Sequence, residues 1–68
     1  MQINKDDFVL ISGEVTGYGI LEGYVDKVYS DLSGELMVEV TYTPESRNKA
    51  NGSLGTVCQV CFCKPLMY

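Results

Sequence analysis

Apolar and polar residues alternate along residues 36–43. Leu36, Val38, Val40 and Tyr42 fall on one parity, and Met37, Glu39, Thr41 and Thr43 on the other. A period of two is what a half-buried β-strand imposes, since successive side chains point to opposite faces of the sheet. The first set reads as core, and Pro44 ends the strand because proline has no N–H for the ladder. An earlier run, Ile20 to Tyr29, reads as the preceding strand, with Asp31-Leu32-Ser33-Gly34 as the turn between them. Val25 and Val28 cannot share a face of a regular strand, which predicts a bulge or sharp twist near Asp26-Lys27.

The rest of the chain extends this pattern. Asp7 to Ser12 reads as a first strand, apolar on both faces at its centre. Gly13 to Gly19 holds three glycines in a stretch headed by Gly13 and reads as a loop, with Val15 as an apolar pin folding it back. Pro44 to Ser53 reads as a long loop and Gly55 to Phe62 as a fourth strand, while Lys64 to Tyr68 closes the chain as a short strand or turn. No amphipathic helix, repeat or low-complexity tract is evident. The expectation is one all-β domain over residues 1–68, either a small barrel or a strongly bent antiparallel sheet of four to five strands.

Three stretches resemble the SH3-like barrels, in the broad sense that includes Tudor and KOW-type modules. They are Lys5-Asp6-Asp7-Phe8-Val9-Leu10-Ile11, Glu22-Gly23-Tyr24-Val25-Asp26-Lys27-Val28 and Lys64-Pro65-Leu66. The resemblance implies an architecture and no ligand, because the chain contains no tryptophan to form the peptide-binding SH3 groove.

Composition narrows the chemistry. At 68 residues the chain affords only a small core, so a pocket is expected on a surface groove or between subunits. Net charge is −4 with the acids scattered, which disfavours general binding to nucleic acid or anionic membranes. Histidine is absent, which removes the commonest general base and metal ligand. The expectation is a protein that is not an enzyme, with no cofactor and no metal. The start Met1-Gln2-Ile3-Asn4-Lys5 has no apolar stretch behind it, and no run approaches a membrane span. A cytoplasmic address with free thiols is expected.

Cys58-Gln59-Val60-Cys61-Phe62-Cys63 contains a Cys-x-x-Cys, half of a common zinc site, but the other half is missing. On a continuous strand Cys61 and Cys63 share one face and Cys58 takes the other. The favoured reading is buried apolar packing, with an intersubunit metal site or disulfide as the alternative. Gly17-Tyr18-Gly19-Ile20-Leu21-Glu22-Gly23 has the wrong spacing and context for a phosphate loop, and a loop glycine needed for positive φ is expected instead.

The binding candidates are Tyr18 and Tyr24, whose rings suit contact surfaces, and Arg47, Asn48 and Lys49, the local basic cluster. The first functional expectation is a non-catalytic module recognising a protein partner, fitting a bacterial or phage accessory protein that inhibits a larger enzyme. Self-association into a homo-oligomer is compatible with it, with Cys61, Met37 and Met67 as contact residues. The alternative is a nucleotide or nucleic-acid binder, or an acidic mimic of nucleic acid. An enzyme would need an oligomer to build its pocket.

Overall fold

A computed structural model describes residues 3–65. Five antiparallel strands form one sheet: β1 Phe8–Ile11, β2 Leu21–Ser30, β3 Leu36–Tyr42, β4 Gly55–Gln59 and β5 Cys63–Pro65. Their order is β4-β3-β2-β1-β5, so β1 is flanked by its sequence neighbour and by the last described strand. Leu66 and Met67 lie outside the described residues.

The sheet is rolled. Strands in a sheet are spaced about 4.8 Å apart, so a flat five-stranded sheet would separate its edges by roughly 19 Å. Yet Cys58 on the β4 edge and Cys63 on the β5 edge bring their sulfurs to 3.6 Å. The bend is assisted at the expected place in β2. Pairing steps from Val25↔Val40 directly to Lys27↔Glu39, leaving Asp26 as the extra residue. That bulge returns Val28 to the core side, opposite Val38.

The core lies inside the curl. Val9, Ile11, Leu21, Val25 and Val38 are fully buried, and Val40, Tyr42, Cys58 and Cys63 complete the layer. Tyr42, Val40 and Val38 follow the alternation of their strand, but Leu36 on the same parity is exposed, because it stands at the strand's outer start beside the turn. Val15 packs on the core as an apolar pin. Ile3 is also buried, held by a leading segment whose Asp6 N–H donates to the Val25 carbonyl. The turn after β2 forms as expected: the Asp31 carboxylate accepts from Ser33 and Glu35, and Gly34 takes φ +87°.

Two segments expected as loops are partly helical. Gly13–Thr16 is a single helical turn, α1, with the Ser12 hydroxyl accepting from the Glu14 N–H. More consequential is α2, Pro44–Lys49, in the segment expected to be an irregular loop. Thr43 caps it by accepting from the Ser46 N–H, and Pro44 occupies the first turn, where a missing N–H costs nothing. Its end is equally specific. Asn51 and Gly52 are both left-handed, the Gly52 N–H donates to the Arg47 carbonyl, and the Asn51 N–H donates to the Asn48 carbonyl.

The expected fourth strand also ends early. A 3₁₀ turn at Val60–Phe62 interrupts it and Cys63 opens β5. The turn reverses the expected facing of the cysteines, so Cys58 and Cys63 are both buried and Cys61 is exposed.

Candidate functional site

The loop over residues 12–20 and the helix α2 sit at the same end of the sheet. Ile11 pairs with Leu21 where β1 turns into β2, and Gly23 pairs with Tyr42 just before α2. The Glu22 N–H donates to the buried Ser46 hydroxyl at 2.8 Å, and the Thr43 N–H donates to the Glu22 carbonyl. These bonds fasten the start of α2 beside β2.

The loop is internally braced. Its two limbs meet where Gly13 and Gly19 approach so closely that a Cβ on Gly13 would stand 2.9 Å from Gly19 Cα. Thr16 closes the tip, its hydroxyl donating to the Gly19 carbonyl at 2.6 Å and accepting from the Tyr18 N–H at 3.0 Å. Gly17 and Gly19 are both left-handed. Tyr18 is thereby held on an ordered tip, about half exposed. The hydroxyl of the buried Tyr42 is pushed up mainly by burial, opposed by hydrogen bonding to Thr56, with small additions from Cys58 and Tyr18.

Tyr24 lies on the other face. In register with Phe8 and Thr41, it points outward, and its ring centroid is 5.0 Å from that of Phe8 at 49°. The two rings, with Glu22, Thr43, Pro44 and Glu45, line a groove of about 360 Å³. Aromatic faces are negative and carboxylates are anionic, so this groove favours a cation. Larger depressions exist among the described residues, but one, beside Lys5, Lys27 and Leu36, is lined by no aromatic ring. A second, lined by Leu10, Ile20, Cys61 and Phe62, is mainly apolar.

The five sequence candidates therefore separate. Tyr24 enters the groove with the first turn of α2. Tyr18 stands on the tip of the 12–20 loop, outside the groove. Arg47, Asn48 and Lys49 lie on α2 instead of a loop, and they differ in role. The half-buried Arg47 turns inward, with Nη2 3.5 Å from the Tyr42 carbonyl oxygen, while Asn48 and Lys49 are exposed. Sequence reading missed Phe8, Glu22, Pro44 and Glu45 as groove residues. The helix start Thr43-Pro44-Glu45 could have signalled Pro44 and Glu45, since it places a proline and a carboxylate at the end of β3, whereas Phe8 and Glu22 join them only through strand pairing.

The buried thiols form one hydrogen-bonded pair. Donation from Cys63 draws the Cys58 thiol down, while loss of that bond and burial push the Cys63 thiol far up. Among the described residues, no three His, Cys, Asp or Glu side chains are grouped to hold a metal ion. Among those residues no helix is long and apolar enough to cross a membrane. The chain matches no protein-family model, no curated protein and no solved structure.

Proposed function

We propose that this protein is a non-catalytic protein-interaction module whose groove at Phe8 and Tyr24 takes a lysine- or arginine-bearing segment of a partner protein. One observation carries the reading: a tilted aromatic pair on a rigid sheet face, with Glu22 and Glu45 beside it and Pro44 as an apolar wall. The rings offer a face to a cation, and the carboxylates accept charge-assisted hydrogen bonds from its N–H groups. Sites on strands are also more precise than sites on mobile loops. The SH3-like reading of the architecture is supported by the rolled five-stranded sheet, in which β1 pairs with both β2 and β5, and by the 3₁₀ turn between the last two strands. A cytoplasmic bacterial or phage accessory protein, acting on a larger enzyme, is the setting that a small acidic module suits.

The nucleic-acid alternative draws less support. Arg47 is half-buried, with its Nε buried and unpartnered, which leaves Lys49 as the exposed cation of the cluster. The test is affinity capture from a bacterial lysate, with and without nuclease, using wild type, Tyr24→Ala and the double variant Glu22→Gln/Glu45→Gln. The reading expects a nuclease-resistant protein whose retention falls about thirtyfold in Tyr24→Ala, the effect of losing about 2 kcal/mol at an interface hot spot. It also expects the double variant to weaken retention. Capture that disappears with nuclease would transfer the function to nucleic acid, and capture indifferent to all three substitutions would remove the groove from the function.

A further inference from the structure

We propose that Cys58 and Cys63 are an oxidisable thiol pair, a modification site at which hydrogen peroxide closes a reversible disulfide between the two edges of the sheet. The inference is independent of the groove's function and rests on the placement of the two sulfurs.

The sulfurs lie 3.6 Å apart in a hydrogen-bonded contact, against about 2.05 Å in a disulfide. Closure therefore needs about 1.6 Å of approach, shared between two side chains. The two residues belong to different edges, β4 and β5, joined through the 3₁₀ turn at Val60–Phe62. A covalent bond there would staple together edges that have no backbone pairing to each other. Both thiols are buried, which excludes bulky oxidants and favours a molecule nearly as small as water. Peroxide meets that requirement.

The reaction balances without any further reagent. One sulfur, as thiolate, attacks a peroxide oxygen; the O–O bond breaks, and hydroxide leaves and is protonated to water. The resulting sulfenic acid is then attacked by the second sulfur. The S–O bond breaks, the S–S bond forms, and the departing hydroxide takes up the second thiol's proton. Two thiols and one peroxide become one disulfide and two waters, with two electrons passing from sulfur to oxygen. The hydrogen bond between the thiols assists the first step, since it stabilises whichever sulfur ionises first. A small dithiol reverses the bond by exchange.

The exposed Cys61 is the competing thiol, with its Sγ against Gln59 Oε1. The test therefore uses Cys61→Ser, which keeps the buried pair intact. After treatment with hydrogen peroxide, the folded protein is expected to lose two hydrogens in mass and to resist iodoacetamide after unfolding. Dithiothreitol should restore both thiols. The oxidised form should melt higher, on the order of 10 °C, because the bond closes a short loop in a small domain. Two free thiols after treatment, bonds formed only between chains, or closure no faster in the folded protein than in the urea-unfolded one would each overturn the proposal.

Discussion

A methyl group on Gly23 would stand 2.5 Å from Val40 Cγ1 and 2.6 Å from the Thr41 carbonyl oxygen. Both neighbours belong to β3, so relief would require β2 and β3 to part at the centre of the rolled sheet. Gly23→Ala is expected to cost about 1–3 kcal/mol, the range for overpacking, read as a lowered urea midpoint at unchanged slope. Asp31 makes a different contribution. Hydrogen bonds from the Ser33 hydroxyl, and then from the Glu35 N–H, hold its carboxyl below the ordinary value. A folded value below the unfolded one means stabilisation that is fully present above the unfolded value, about pH 4, and is lost as pH falls through the folded value. Thermal melts of wild type and Asp31→Ala should thus differ most at neutral pH and converge as the solution is acidified below that point.

Ser46 shows how one side chain joins two elements. It is a buried polar residue whose hydroxyl accepts from the Glu22 N–H. Ser46→Ala would leave that donor without its partner, a loss of about 1–3 kcal/mol. The expected signature is local: faster hydrogen exchange at the Glu22 amide and a helix less firmly held beside β2, with the central strands still protected. The groove should feel the change too, because Pro44 and Glu45 form one of its walls. At this scale the sequence was legible for strands and turns, and less so for helices. The alternation along 36–43 and the Asp31-Leu32-Ser33-Gly34 turn are local signals, and each appears where expected except at Leu36, which the turn leaves exposed. The six residues of α2 are too few to display a helical hydrophobic period, so only its cap and its left-handed exit at Asn51-Gly52 announce it.

Net charge and fold act together on the whole molecule. With nine acids against five bases, the protein carries a net negative field that would steer a cationic partner, of the kind proposed for the groove, before contact. Association with a basic partner is expected to slow as salt rises toward 0.15 M, where the Debye length is about 8 Å. Stopped-flow association rates at several ionic strengths check this, and a rate independent of salt would remove long-range attraction from the description. The roll of the sheet is the other property that exists only at this scale. It turns Val9, Ile11, Leu21, Val25 and Val38 into one enclosed core, and it leaves Phe8 and Tyr24 on the convex outer face.

What the amino-acid order determined by itself was local: the first three strands, the bulge at Asp26, the turn at Asp31 and most of the apolar parity that became the core. These follow from steric preferences and side-chain periods reaching only a few residues. The tertiary structure decided which distant residues meet. Cys58 and Cys63 face one another because a 3₁₀ turn resets the alternation and the sheet rolls its edges together. Tyr18 and Tyr24, six positions apart, are divided between a loop tip and the outer sheet face, while Tyr24 gains Glu45 from across the β2–β3 pairing. Side-chain period cannot foresee these meetings, because they depend on curvature, and curvature is set by the packing of the whole core.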